Sequence, residues 1–236
     1  MDILNFIPKK IGLTNNQLKI IAMISMLIDH MGGYLFPKVA ILRIIGRLAF
    51  PIFAYMIAEG CFYTKHRLRY LLHLLILGTG CQLVYFFFMG SLYMGILLTF
   101  SLSIITIYSI DYYLKKKSIT GLLLMLITLF SVFFISVIIP EIYKDSGFMF
   151  DYGILGILLP VCIYFSKFRL FKILFSIIFI ILLSIYYDST LLLYSLLAIP
   201  FLVLYNQERG KYKMKYVFYI FYPLHLVILY LLKMFI

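Results

Sequence analysis

The stretch from Arg43 to Gly60 constrains the fold most, because it combines enough apolar residues to cross a bilayer with three charges: RIIGRLAFPIFAYMIAEG. A charge near the centre of a membrane helix costs at least ~2.5 kcal/mol, so such charges usually face a polar cavity or one another and mark a functional site. Arg43 and Arg47 are four residues apart, and their side chains therefore leave the same face of a helix. Pro51 removes a backbone donor and predicts a kink in this helix.

The rest of the chain has the composition of an integral membrane protein. Of its 236 residues, 64% are hydrophobic and only 13% are charged, whereas soluble proteins have roughly 45–50% apolar and about 25% charged residues. Long runs of Leu, Ile and Phe, without short segments of alternating polarity, predict a helical bundle rather than a β-barrel. We therefore expect one all-α integral-membrane domain over residues 1–236.

The formal net charge of +12 does not indicate nucleic-acid binding, because the basic residues form short clusters between apolar runs and no contiguous soluble basic face. Cys61, Cys81 and Cys162 lie in separate hydrophobic segments without metal-ligand spacing, so we expect packing residues and no bound metal. The first apolar run ends at Asp29 and His30 without a small-residue cleavage pattern, and we expect no cleavable signal peptide.

The apolar runs predict nine membrane helices, at about residues 18–36, 39–62, 69–89, 92–113, 118–139, 150–166, 170–187, 190–205 and 216–235. Residues 1–17 are expected to lie on the cytoplasmic membrane surface, and Thr14 and Gln17 have the spacing of a capping box. The basic clusters fall in alternate loops, so the positive-inside rule places the N-terminus in the cytoplasm and the C-terminus outside. We expect a multi-pass protein of the bacterial cytoplasmic membrane, in contact with membrane lipids.

Polar side chains from several of these helices are predicted to lie at one depth in the outer half of the membrane. With a rise of ~1.5 Å per residue and a hydrocarbon core ~30 Å thick, the depths of these residues agree within a few ångströms. The predicted set is Asp29, His30, Arg47, Gln82, Thr99 and His225. Asp151 and Tyr152 would close this cavity from outside, whereas Glu59 lies near the cytoplasmic end.

The same residues also have structural interpretations. His30 could be a buried histidine that is satisfied by Asp29, because buried polar groups find partners. Arg43 and Arg47 could form structural ion pairs with Asp29 and Asp151.

Two further residues have equally plain alternatives. Glu59 could pair with Arg67 or Arg69 at the cytoplasmic rim, where a charge costs less than at the membrane centre. His225 could satisfy a backbone carbonyl that Pro223 leaves without its donor.

Four segments together resemble the TraX family: LTNNQLKIIAMISMLIDHMG, RIIGRLAFPIFAYMIAEGCFYTKHRLRYLLHL, FDYGILGILL and FYIFYPLHLVILYLL. The namesake of that family N-acetylates conjugative pilin subunits. The family is similar to the wider transmembrane acyltransferases, which place a histidine and arginines inside a helical bundle. The resemblance implies transfer of an acetyl group from acetyl-CoA to an amine, such as a peptide or pilin-like N-terminus, or to a hydroxyl of a secreted or extracytoplasmic acceptor.

Acyl transfer needs a base for the proton of the acceptor and positive groups for a developing oxyanion or an anionic donor. His30 is the candidate general base, with Asp29 as the first carboxylate that could orient it and Asp151 as the second. Arg43 and Arg47 are the candidate residues for the thioester or the phosphate-bearing arm of acetyl-CoA.

We expect His225 to assist catalysis, and a peptide or glycan acceptor to contact the other polar residues of the set. The candidate acceptor-binding residues are Gln82, Glu59, Asp151, Tyr152 and Tyr222. No serine or cysteine has an evident activating partner, so direct transfer is the simpler mechanism, and an acyl intermediate on His30 stays open.

Two other function classes use the same residues. A transporter or proton-coupled carrier could use the Asp, His and Arg cluster as a relay or substrate site, although the sequence contains no detectable inverted repeat. In a non-catalytic membrane assembly or immunity protein, the same charges would hold the helices together.

Overall fold

The computed structural model describes residues 12–211 and 214–235, and in this part of the chain the predicted all-α class is confirmed. The described chain forms two compact units. Unit 1 contains the chain up to Met56 and from Ser166 onward, and unit 2 contains Ile57–Phe165. Most of the predicted interfacial segment, residues 1–11, lies outside the described residues. That the whole chain is a single domain stays a prediction.

The helices in chain order are α1 (Asn15–Tyr34), α2 (Ala40–Gly46), α3 (Ala49–Tyr63), α4 (Arg67–Met89), α5 (Ile96–Lys116), α6 (Ile119–Phe133), α7 (Ile139–Ile142), α8 (Gly153–Phe165), α9 (Arg169–Tyr186), α10 (Ile199–Leu204) and α11 (Lys215–Lys233). The other regular segments are a π-helical turn (Phe134–Ile138), two 3₁₀ segments (Lys144–Ser146 and Thr190–Ala198) and the strands β1 (Tyr93–Met94) and β2 (Met149–Phe150).

Among the described residues, five helical stretches have the length and hydropathy needed to cross a membrane. They are α2 together with α3, α4, α5, α6 continued through α7, and α9. Three apolar helical stretches are shorter, at Gly153–Phe165, Thr190–Leu204 and Val217–Lys233. Each of the predicted ranges thus contains a helix, and the long apolar helices indicate a membrane protein. The number of spans and the orientation of the termini stay predictions.

The start of α1 is set by the predicted capping box. Gln17 Oε1 accepts the backbone N–H of Thr14 at 2.8 Å, and Thr14 Oγ1 accepts the backbone N–H of Gln17 at 3.4 Å. These two bonds satisfy donors that a helix start leaves without partners. The helix therefore begins at Asn15, three residues before the predicted start at Leu18.

The kink predicted from Pro51 appears as the break between α2 and α3. Residues 47–48 form a turn, and Pro51 is the third residue of α3. A proline in the first turn of a helix removes an N–H that has no intrahelical partner, and its ring disfavours a continuous helix through the carbonyl four residues earlier. That carbonyl belongs to Arg47, which is the C-cap residue of α2.

In unit 1, α1 packs beside α11, and the two helices run in the same direction. Near their starts, Lys19 Nζ lies 5.4 Å from the ring centroid of Phe218. Near their ends, Lys233 Nζ lies 5.9 Å from the ring centroid of Tyr34. Residues in the middle of the two helices therefore face each other.

In unit 2, α5 packs against α4, α6 and α8. The buried serine and threonine hydroxyls on α5 donate to backbone carbonyls, as Ser103 does to Ile157 of α8 at 2.8 Å, so the burial of these side chains leaves their donors satisfied. The strands β1 and β2 pair in parallel, with Tyr93 opposite Met149. This pairing holds the loop before α5 against the loop before α8.

Candidate functional site

One carboxylate and two guanidinium groups form the first part of the candidate site, in unit 1. Arg43 Nη1 donates to Asp29 Oδ2 at 2.8 Å, and Arg47 Nη2 donates to Asp29 Oδ1 at 2.5 Å. Arg43 Nη1 also reaches the backbone carbonyl of Asp29 at 3.1 Å. Both arginines therefore lie on one side, as their spacing predicts. That side faces α1, and each carboxylate oxygen has its own arginine.

Glycines set the close approach of α1 and α2 around these charges. A Cβ at Gly46 would overlap the Cβ, the Oδ1 and the Cα of Asp29. A Cβ at Gly32 would lie 2.8 Å from the Cβ of Leu42. Small residues at a helix contact let the backbones approach, and here the approach brings the guanidinium groups within reach of one carboxylate.

Two histidines form the second part of the site, where α1 faces α11. His30 Nδ1 lies 2.8 Å from His225 Nε2, and the ring centroids are 5.0 Å apart. His225 is buried, and its Nδ1 lies 2.9 Å from the backbone carbonyl oxygen of Phe221. The rings of Phe221 and Tyr222 pack against the His225 imidazole with centroid distances of 4.8 and 5.7 Å.

The partners of Asp29 and His30 differ from the expected ones. Asp29 was the first candidate to orient His30, but its carboxylate binds Arg43 and Arg47, which are the ion pairs with Asp29 that the structural interpretation of these arginines predicts. The ring nitrogen Nδ1 of His30 contacts His225, which lies 195 positions away in the chain. The only sequence signal for this pair is the similar depth predicted for the two histidines.

A second polar group lies in unit 2, around the β1–β2 pairing. Asp151 Oδ1 accepts the hydroxyl of Tyr93 at 2.7 Å, and the Asp151 carbonyl accepts the hydroxyl of Thr99 at 3.0 Å. Gln82 accepts the backbone N–H of Gly95 at 3.4 Å and donates to the carbonyl of Ser91 at 3.2 Å.

Of this second group, the sequence predicted Gln82, Thr99 and Asp151 and missed Tyr93. Tyr152 follows Asp151 with a left-handed backbone (φ +59°), so the chain turns sharply before α8. The hydrogen bonds give these residues a clear structural role in holding the loops before α5 and α8. That they share one cavity with the residues of unit 1 stays a prediction.

At the other end of α5, Arg67 has a different partner from the one expected. Glu59 is buried in unit 2, and Arg67 was one of its two candidate partners. Arg67 Nη1 instead binds Asp111 Oδ2 at 2.6 Å, where Lys115 Nζ also binds at 2.8 Å. Asp111 was not predicted as a site residue, although a carboxylate four residues before a lysine on a predicted helix is a recognisable signal.

The described residues contain no group of three or more His, Cys, Asp or Glu side chains that could hold a metal ion. Cys61, Cys81 and Cys162 are free cysteines. The chemistry available in unit 1 is therefore that of a histidine pair beside a carboxylate with two arginines, which suits proton transfer and the stabilisation of negative charge.

Comparison with known proteins identifies relatives. A family model described as "TraX protein" matches residues 14–233. An uncharacterized protein, RP591, of Rickettsia prowazekii (strain Madrid E) is 46% identical over 66 residues, which are 27% of this chain and 26% of that protein. A probable fimbrial assembly protein, FimC of serogroup H1, from Dichelobacter nodosus is 36% identical over 74 residues, 29% of this chain and 30% of that protein. The chain thus spans less than a third of each relative, and no solved structure matches.

Proposed function

Because the chain belongs to the TraX family, we propose that it is a membrane-embedded acyltransferase that uses acetyl-CoA as donor. The acceptor is an amine, such as the N-terminus of a peptide or pilin-like protein, or a hydroxyl of a secreted or extracytoplasmic molecule such as a glycan. The family is associated with pilin acetylation, and one relative is described as a probable fimbrial assembly protein. Both facts favour a protein acceptor.

The observation that carries this proposal is the contact of His30 with His225 at 2.8 Å, with Asp29, which binds two arginines, directly before His30 in the sequence. His30 accepts the proton of the acceptor amine or hydroxyl as that atom attacks the thioester carbonyl. The C–S bond then breaks, and the proton passes from His30 to the departing sulfur, which leaves as the thiol of CoA. The reaction needs no other reactant.

The arginines contribute positive charge to this reaction. Among Asp29, Arg43 and Arg47, one carboxylate faces two guanidinium groups, which leaves an excess of one positive charge. A charge held in a fixed geometry stabilises an oxyanion more than mobile water does. Asp29 is thus a positioning residue for the arginines, which contact the thioester oxygen or the phosphate groups of the donor.

The proposal places the protein in the bacterial cytoplasmic membrane as a multi-pass protein surrounded by lipid. Acetyl-CoA approaches from the cytoplasm, and the acceptor from the outer side. Asp151 with Tyr152, Gln82, Glu59 and Tyr222 are the proposed acceptor-side residues. No metal ion takes part in the proposed reaction.

The test uses purified protein in lipid nanodiscs with labelled acetyl-CoA and a synthetic peptide that has a free N-terminus. Acetylated peptide and released CoA thiol are expected in equal amounts, and a peptide with a blocked N-terminus is expected to give neither. His30→Ala should lower the rate by about 10²–10⁴-fold, the usual contribution of a general base. His73→Ala is the matched control, because His73 is an exposed histidine of α4, and it should keep the wild-type rate.

Two results would overturn the proposal. If His30→Ala keeps the wild-type rate, His30 is not the base. If no acyl group is transferred to a peptide or glycan and proteoliposomes accumulate a solute, the protein is a carrier. Mass spectrometry of secreted peptides and envelope glycans, with and without the gene, identifies the acceptor through a missing acetyl group.

A further inference from the structure

We propose that His225 is a positioning residue that fixes the tautomer of His30, so that Nε2 of His30 is the nitrogen that takes the proton of the acceptor. The direction of the hydrogen bonds rests on the contacts in unit 1 alone. Its use in acyl transfer rests on the function proposed above.

The hydrogen bond between His225 and the backbone determines which nitrogen of His225 is protonated. A carbonyl oxygen can only accept a hydrogen bond, so the contact of His225 Nδ1 with the Phe221 carbonyl at 2.9 Å requires a proton on Nδ1. In a neutral imidazole the other nitrogen then has a lone pair. His225 Nε2 is therefore an acceptor.

The acceptor nitrogen of His225 in turn determines which nitrogen of His30 carries a proton. His30 Nδ1 lies 2.8 Å from the acceptor His225 Nε2, and two lone pairs at that distance would repel. Nδ1 of His30 therefore carries the proton and donates it. The remaining nitrogen, Nε2 of His30, has the lone pair that a general base needs.

The surroundings of His225 hold this arrangement in place. The imidazole is buried and lies nearly parallel to the Phe221 ring, at 9°, with the Tyr222 ring against it at 79°. Packing on these rings restricts rotation of the side chain. A flipped His225 ring would lose the carbonyl bond and leave a buried N–H without that acceptor, which is costly.

The proton balance of the reaction is consistent with this role. When Nε2 of His30 takes the proton of the acyl acceptor, the His30 imidazole becomes a cation. Its Nδ1–H still donates a hydrogen bond to His225. His225 neither gains nor loses a proton, and it contacts neither the acyl donor nor the acyl acceptor. The proton then leaves Nε2 for the sulfur of CoA, and His30 returns to the starting tautomer.

Two substitutions at position 225 separate the hydrogen bond that this histidine accepts from His30 from the one that it donates to the Phe221 carbonyl. In His225→Gln, the amide oxygen reaches the place of Nε2 and can still accept from His30. In His225→Asn, the shorter amide reaches only the place of Nδ1, so it can bond the Phe221 carbonyl but leaves His30 without its acceptor. Loss of a tautomer-fixing partner lowers kcat by up to about 10⁴-fold in a serine protease triad.

We expect His225→Asn to lose at least about 10²-fold in kcat, and His225→Gln to retain most of it. KM should change little in both, because His225 does not contact substrate. Equal kcat values in the two variants would overturn the proposal. Thermal unfolding of both variants in detergent shows whether they are folded for this comparison.

A spectroscopic measurement on the unmodified protein tests the tautomer without any activity. In ¹⁵N-histidine NMR spectra, His30 should show a protonated Nδ1 and an unprotonated Nε2, with its signals assigned by their loss in His30→Ala. A His30 ring with a protonated Nε2 and an unprotonated Nδ1 would overturn the inference even if the enzyme is active. The expected signals in a protein that transfers no acyl group would overturn the proposed function alone.

Discussion

Two carboxylates in this protein each bind two cations, and the two groups differ in geometry and in the exposure of their cations. Asp29 in unit 1 receives one guanidinium group on each oxygen, and the side chains of Arg43 and Arg47 are 33% and 11% exposed. Asp111 in unit 2 receives both cations on Oδ2, and the side chains of Arg67 and Lys115 are 36% and 64% exposed. The two carboxylates are buried alike, with side chains 14% and 12% exposed, so the two groups differ mainly in the second cation, which is shielded in Arg47 and exposed in Lys115.

The difference separates a candidate functional group from a structural one. An exposed lysine pair contributes little, because water and salt screen it. Removing one partner from a buried group leaves an uncompensated charge, which is costly, and charges inside a membrane usually mark a functional site. Asp29 directly precedes His30, whereas Asp111 joins the start of α4 to the end of α5. We therefore propose a functional role for the Asp29 group and a stabilising role for the Asp111 group.

The largest expected effect is that of Asp29→Ala. The substitution leaves two guanidinium groups without their shared carboxylate, and breaking a buried pair costs about 3–5 kcal/mol. Chemical unfolding in mixed micelles, followed by circular dichroism, measures the loss. The matched variant Asp111→Ala should cost less, because one of its two cations, Lys115, is 64% exposed and is screened by water and salt. Equal losses in the two variants would remove the distinction between the two groups.

Arg47→Lys should lower the rate of acetyl transfer by about 10²-fold, the effect of losing one oriented donor to a developing oxyanion. Lysine keeps the charge but has no planar fork to bind Asp29 and the substrate at once. Its partner for comparison is Arg67→Lys, which should leave the rate unchanged. Rates are measured by release of CoA thiol, and an Arg67→Lys variant as slow as Arg47→Lys would contradict the assignment.

Gly46→Ala should destabilise the protein by about 1–3 kcal/mol, as overpacking does. The new methyl group would overlap the Asp29 side chain and push α2 away from α1. Gly80→Ala is the control, because a Cβ at Gly80 meets nothing within 4 Å and alanine favours a helix. Unfolding midpoints in detergent compare the two, and a neutral Gly46→Ala would show that the close approach is not needed.

The smallest effect is expected for Lys115→Gln, at about 0.3–0.5 kcal/mol, the value of an exposed pair four residues apart on a helix. The loss should shrink in high salt, which screens exposed charges. Lys144→Gln removes another exposed pair, with Glu141, and should behave alike. A loss from Lys115→Gln that persists unchanged in 1 M salt would mean that the Asp111 group is as shielded as the Asp29 group.

Local features of the fold could be predicted from the sequence because they depend on neighbours in the chain. Hydropathy predicts long apolar helices, the spacing of Thr14 and Gln17 predicts a cap, and Pro51 predicts the break before α3. The i, i+4 spacing of Arg43 and Arg47 likewise predicts that both face one side.

Partner choice between distant segments could not be predicted in the same way. The sequence left Asp29 with two possible sets of partners, His30 or the two arginines. Arg67 was a candidate partner of Glu59, and each of these choices is reasonable by proximity or charge. The structure pairs Asp29 with two arginines and Arg67 with Asp111. Charge alone does not discriminate among several opposite charges at similar depth, whereas helix packing does.

The sequence by itself determined that this chain forms apolar helices carrying arginines and histidines where such residues are costly, and which family it resembles. Only the tertiary structure decided that His30 meets His225 and which nitrogen of each ring faces the other. The physical reason is that a periodic pattern specifies which face of a helix is polar but not the neighbour that the face contacts. Contact between residues far apart in the chain follows from the packing of α1 beside α11.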